Sequence, residues 1–320
     1  MSVRRICCTI ALGFVLPLAV PGIRAAEIDK YLPDDTEIVF HANIRQILDS
    51  ELGKKYLMPQ LEAGLKGNAE AQQILSAVGF DSLKDVTSLT VATPGDSEKK
   101  WMILVHARVD LDKVRTAVEA YAAKQPDAVK VQKQGNVPFY EIKNPKQPGQ
   151  TFYSTFVDHE TLVISPDKDY VLATIAKKEA PKPPALNNKL VDLVKKVDAK
   201  ESLWLALLPD RLAKAFSQNK QTADLAKKVQ SLNAGIALSD GVQFTLRVQT
   251  PDAKAARDMQ QTLKGIQAIL ILAITSNEQL KDFGPTLTDI VNSIKFTLDQ
   301  TVVGMDLNIS AKQIEEGLKK

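Results

Sequence analysis

The sequence predicts an α+β fold made of two tandem related units, each with an antiparallel sheet and packed helices in a ferredoxin-like element order with additions. Three observations lead there. Short apolar runs, alternating or continuous, recur between turn residues, which is the pattern of antiparallel strands. Segments with helical spacing interrupt these runs, so hairpins and helices alternate. The order then restarts: Val109-Asp110 matches Thr250-Pro251 and Val157-Asp158 matches Leu298-Asp299 at a common offset of 141 residues, and Ile38, Phe40 and Ala42 map on Leu203, Leu205 and Leu207 at 165, a gap that fits a longer helical connection in the first unit. A repeated element order with shared offsets is the signature of an internal repeat.

In the first unit, Thr36 to Ala42 is β-rich, and Asn43 is placed to cap a helix carrying Ile44, Ile47 and Leu48. A second helical stretch runs from about Pro59 to Val78, weakened at Gly67-Asn68, and Gly79 is suited to a left-handed C-terminal position with Phe80 folding back. Val86 to Thr93 and Trp101 to Val109 read as strands joined by a polar turn. Asp110 then caps a helix with Val114, Ala117, Val118, Tyr121 and Ala122 at helical spacing. Three strands follow, Val137 to Ile142, Phe152 to Val157 and Thr161 to Ser165, and Ser165-Pro166-Asp167 opens a helix bearing Val171, Leu172 and Ile175.

The Pro- and Lys-rich stretch Glu179 to Ala185 reads as a linker, followed by a connecting helix with Leu190, Leu193, Val194 and Val197 on one side. The second unit begins with the strand Ser202 to Leu208 and a helix opened by Pro209-Asp210. A hairpin turns about Ser239-Asp240-Gly241, and Pro251-Asp252 starts a long helix. A second hairpin turns at Asp299-Gln300, and Ser310 with Gln313 forms a capping box for the last helix. The expected organisation is therefore 1–26 signal peptide, 27–178 first unit, 179–200 linker and connecting helix, and 201–320 second unit.

Residues 1–26 read as an export signal. Arg4 and Arg5 precede an uncharged, mainly apolar run from Ile6 to Val20, which is too short to span a bilayer and is broken by Pro17. Ala25 and Ala26 suit a signal-peptidase cut, favoured after Ala25. Cys7 and Cys8 both lie inside this segment, so a processed chain carries no thiol, disulfide or cysteine metal ligand. A lipid anchor at either cysteine is disfavoured, because the apolar run follows them. The signal also holds Arg4, Arg5 and Arg24 and no acid, which leaves 38 bases against 38 acids in the remainder. That balance argues against nucleic acid as a partner. No later apolar run is long enough to cross a membrane. The expected location is periplasmic or extracellular.

After such a signal, Tyr31-Leu32-Pro33-Asp34-Asp35-Thr36 resembles the opening of a group of uncharacterised bacterial exported proteins, which begin with a Leu-Pro-acidic-Thr phrase before the first strand. Val78-Gly79-Phe80-Asp81-Ser82-Leu83-Lys84-Asp85-Val86 resembles their helix-to-strand connection. The likeness spans about the first half and implies a domain with no catalytic residues to carry over.

The chemistry-bearing residues are sparse. The only histidines are His41, His106 and His159; the first two fall on strands and are candidates to be neighbours in one sheet, but no H-x-H or H-x-x-x-H spacing marks a zinc site. Asp110 with Asp112, and Asp167 with Asp169, sit where carboxylates cap helices. Asp34-Asp35 lies in a turn. There is no G-x-S-x-G, Walker loop or dinucleotide fingerprint. No catalytic, cofactor or metal residue is assigned. The aromatic strands Val137 to Tyr140 and Phe152 to Phe156 fit either core packing or a flat ligand face.

The helix Asp252 to Thr275 is the best interaction candidate. Ala256, Met259, Leu263, Ile266 and Leu270 form one seam, and Ile269, Ile271, Leu272 and Ile274 lie outside it, more than one apolar stripe requires. Leu263, Ile266, Ile269, Leu270 and Ile274 are the candidate interaction surface, and the Ile266 to Ile274 end is expected to be hidden against protein, within the fold or in a homo-oligomer. The sequence thus favours a non-enzymatic binding or cell-envelope-associated module, with an unknown protein or envelope component as partner. The alternative is an exported hydrolase whose carboxylates form no recognisable motif.

Overall fold

In a computed structural model, the chain forms a twelve-stranded antiparallel sheet with helices on both faces. The structure describes residues 25–67, 75–95, 97, 99–143, 149–179, 184–208, 226–280 and 283–318. The expected signal segment up to residue 24 and the helix expected after Pro209 lie outside them.

Residues 27–179 supply β1 (Ile38–Ala42), α1 (Ile44–Asp49), a π-helical turn (Gly53–Leu57), α2 (Met58–Lys66), α3 (Ser82–Asp85), β2 (Val86–Thr93), β3 (Met102–Ala107), α4 (Leu111–Lys124), β4 (Val129–Gln134), β5 (Val137–Lys143), β6 (Thr151–Phe156), β7 (Thr161–Ser165) and α5 (Lys168–Glu179). The rest supplies α6 (Asn188–Val194), β8 (Leu203–Leu207), β9 (Ser231–Leu238), β10 (Gly241–Gln249), α7 (Ala253–Ser276), α8 (Gly284–Asn292), β11 (Lys295–Asp299), β12 (Val302–Ser310) and α9 (Ala311–Leu318).

Helix starts follow the caps read from sequence. Asn43 Oδ1 accepts from Gln46 N at 2.9 Å, Asp110 from Lys113 N at 3.2 Å and Asp252 from Ala255 N at 2.8 Å. Ser310 and Gln313 close a reciprocal box. Gly79 adopts φ 68°, and Phe80 N returns to Leu75 O at 2.9 Å. Strand β4 is the element that pattern reading misses. Its Val129-Lys130-Val131-Gln132-Lys133-Gln134 has few β-formers, but it is an edge strand, where lysines discourage further pairing.

The strand order is β11-β12-β10-β9-β8-β1-β2-β3-β7-β6-β5-β4. The two expected units therefore meet edge to edge within one sheet. The joint is the β1–β8 pair, in which Ile38, Phe40 and Ala42 face Leu207, Leu205 and Leu203. Phe40 and Leu205 oppose each other at its centre, as a local two-fold between the strands requires.

Following cross-strand partners shows how the two faces differ. One row runs from Val131 through Tyr140, Ser154, Ile164, Ile103 and Val91 to Phe40. It continues through Leu205, Ala234, Leu246 and Met305 to Phe296. All but Tyr140 and Ser154 are purely apolar, so this face is largely apolar along the row that crosses the twelve strands. The neighbouring row on the opposite face contains Val39, Ala92 and Met102 in the first half, but Asn233, Arg247, Gly304 and Thr297 in the second. The main core lies on this opposite face, where Val171 and Ile175 of α5 and Leu190 and Val194 of α6 pack on Val39, Leu104, Val163, Trp204 and Ala206. Burying side chains of this size contributes about 1.5–3 kcal/mol each. A smaller core joins Ala256 and Met259 of α7 to Val248 and Val303 on the apolar face.

The C-terminal end of helix α7 is not fully covered within the single chain. The helix contacts α8, β11 and β12 on one side, but in the single chain Ile269 is 67% and Leu272 68% exposed, with Ile266 and Leu270 also exposed. Helix α8 packs along one side of this end.

Candidate functional site

The apolar face is not fully covered in the first unit. Helix α4 has an apolar stripe, yet Leu111 at its start is its one buried residue. Its remaining stripe, Val114, Ala117, Val118 and Tyr121, faces a groove of about 580 Å³. The floor comes from β4 to β7, through Val129, Ile142, Phe156, Leu162 and Ile164, and Ala77 and Val78 also border it. The helix is tied to the sheet chiefly through β4, to which Gln125–Ala128 connects it. The volume falls within the range of about 300–1,000 Å³ of small-molecule pockets, which are mainly apolar with few polar groups.

Those polar groups are specific. Tyr140 is 4% exposed and lines the groove, and its hydroxyl makes no hydrogen bond among the described residues. Burial pushes its phenol above the usual range; the Arg115 charge opposes that rise and Glu119 adds to it. Among the described lining residues Lys124 alone carries a charge. The apolar row continues from the groove to the middle of the sheet, where Phe40 is 37% exposed.

A second concavity, of about 350 Å³, lies on the opposite face beside the β1–β8 joint, lined by Asp29, His41, Ser88, Thr90, His106 and Trp204 among others. His41 and His106 do share one face of the sheet. His106 Nε2 lies 2.6 Å from Asp29 Oδ2 and its Nδ1 is 3.3 Å from Thr161 Oγ1. The Asp29 hydrogen bond raises the His106 pKa against the effect of burial. His41 Nδ1 is 2.9 Å from Thr90 Oγ1, and its ring stacks on Trp204 at 5.2 Å. Burial, helped by the His106 charge and opposed by Asp29, pushes His41 down to about 4.

This arrangement resembles an acid–base pair, and its partners also tie it into the fold. Both His106 ring nitrogens are engaged, and Thr161, the hydroxyl beside one, is 2% exposed and shielded from a substrate. Asp29 belongs to an N-terminal segment fastened at several points. Tyr31 Oη donates to Asp158 at 3.1 Å, Lys177 binds Leu32 O and Asp34, and Ala26 N donates to Val197 O. His106 is thus one clasp of that segment. Among the described residues, no three His, Cys, Asp or Glu side chains gather as metal ligands.

The acidic pairs sit in structural roles. Asp110 caps α4, Asp167 accepts from Asp169 N at 2.9 Å, Asp34 holds Lys177 and Ala185 N, and Asp35 accepts from Tyr170 Oη. The aromatic strands divide: Phe139 enters the core, Phe152 packs on Trp101, and Tyr140 and Phe156 face the groove. Of the expected α7 surface, Leu263 packs against the smaller core and Ile274 is half-buried, while Ile266, Ile269 and Leu270 are exposed. The groove was missed from sequence; the signal available was the α4 stripe together with alternation in β5 to β7.

No family model and no curated protein matches the sequence. Among solved structures, crystal forms I and IV of TP0453 are similar in part, at 11% and 10% identity. In both cases 92% of this chain and 98% of the other is covered, with TM-scores of 0.46 and 0.48. A likeness of that depth says nothing about what the chain binds. No helix among the described residues is long and apolar enough to cross a membrane.

Proposed function

We propose that this is an exported, non-enzymatic binding module that takes a small apolar ligand between α4 and the sheet. The observation that carries the reading is the apolar groove of about 580 Å³, whose roof is a helix stripe left off the core. Export rests on the N-terminal signal pattern, and the His106–Asp29 clasp supports a structural rather than a hydrolytic role for the second concavity.

The test is titration with N-phenyl-1-naphthylamine, a neutral apolar probe that fluoresces on leaving water. Saturable one-to-one binding is expected, lost in Ala117→Trp, which fills the groove from its roof, and in Leu162→Trp, which fills it from its floor. Both variants should retain the parent's circular dichroism. Absence of saturable binding, or equal binding by two folded Trp variants, would contradict the reading.

A further inference from the structure

The groove's polar groups specify its ligand further, an inference that rests on the binding reading above. We infer that the ligand is a single-chain amphiphile with an anionic head, of the long-chain carboxylate class. An elongated tail fits because the apolar surface does not end at the groove. From Ile164 on its floor, cross-strand partners lead through Ile103 and Val91 to Phe40, every one apolar and none fully buried. A compact apolar ligand would leave that strip unused.

The sign of the head follows from the charges at the groove. Lys124, in the last turn of α4, is the charged lining residue, and among the described residues it makes no ion pair. A lysine ammonium is carried on a flexible four-carbon stem. At Tyr140 the influence of Arg115 outweighs that of Glu119. The Tyr140 hydroxyl, without a partner among the described residues, is a donor inside an apolar wall, and leaving such a group unpaired in a complex is costly. A carboxylate accepts from the phenol and complements the cation; a quaternary ammonium head satisfies neither. A neutral alcohol satisfies only the phenol.

The experiment displaces N-phenyl-1-naphthylamine from the full chain with hexadecanoate, hexadecanol or hexadecyltrimethylammonium, each kept below its aggregation threshold. Hexadecanoate should bind about fivefold more tightly than hexadecanol, the upper end for a partly exposed ion pair, and the cationic amphiphile most weakly. Lys124→Met should bring hexadecanoate and hexadecanol level, and Lys124→Glu should place the cationic amphiphile first. Shortening the chain by one methylene should weaken binding up to about fourfold. Equal affinity for hexadecanoate and hexadecanol in the parent, or an unchanged order in Lys124→Glu, would overturn the inference while probe binding keeps the groove reading intact. Loss of probe binding itself would remove both.

Discussion

His41 gives the fold a defined weakness toward acid. Its ordinary pKa is about 6.5 when unfolded, and burial against Trp204, with the His106 charge adding, holds it at about 4 in the fold. Above pH 6.5 the ring is neutral in both states and costs nothing. As pH falls from 6.5 the unfolded chain takes a proton that the fold refuses, so stability declines by about 1.4 kcal/mol per pH unit. The decline ends near pH 4 and amounts to about 3 kcal/mol, a substantial part of a typical domain's stability of about 5–15 kcal/mol. His106 acts in the opposite sense. Its pKa is raised by Asp29, so its contribution is complete below about pH 6.5 and is lost only as pH rises through the folded value. It therefore adds no slope in the acid window. His41→Asn offers an amide to Thr90 in place of the imidazole nitrogen and cannot titrate. Urea unfolding at pH 7, 6, 5 and 4.5, followed by tryptophan fluorescence, should show the parent's advantage over the variant shrinking by about 2.5 kcal/mol across these points. An advantage that stays constant with pH would refute the argument.

Other expectations follow from particular contacts. Intact mass of exported protein should give an N-terminus at Ala26 or Glu27; a chain retaining Met1 would contradict export processing. Ile269→Asp should leave stability within about 0.5 kcal/mol, since the side chain is 67% exposed, and a smaller elution size would reveal that the α7 end joins two copies. Gly241→Ala should destabilise the second-unit hairpin, because a Cβ there meets the Ile309 carbonyl oxygen at 2.5 Å; an unchanged melting temperature would show that the strands shift freely. Asp29→Asn should speed hydrogen exchange in Glu27 to Asp35 by loosening the His106 clasp; unchanged exchange would place the segment's anchorage elsewhere.

What the sequence revealed, and what it did not, follows from the range of each interaction. Caps are local, so Asn43, Asp110, Asp252 and Ser310 were legible with their helices, as were the hairpin turns at Ser239-Asp240 and Asp299-Gln300. Strand β4 was not, because at a sheet edge the need for lysine overrides β propensity. The edge-to-edge joint of β1 and β8 was invisible, since both strands read simply as apolar. Alternation showed that β5 to β7 have two different faces, but not that α4 stands off one of them. The groove joins Val118, Ile142 and Ile164, and the clasp joins Asp29 to His106; neither set shares a motif, because chain topology rather than local spacing brings them together. The α7 end shows the converse: its excess of apolar residues was plain, but which side α8 would leave open was not.

The most direct measurement of the central claim is a methyl-resolved NMR titration of the Ile-, Leu- and Val-labelled protein with hexadecanoate. Shifts are expected at Val114, Val118, Leu162 and Ile164, extending to Ile103 and Val91, with Ile269 and Leu272 unmoved. Shifts confined to the α7 end, or none at the groove methyls at saturating ligand, would contradict it.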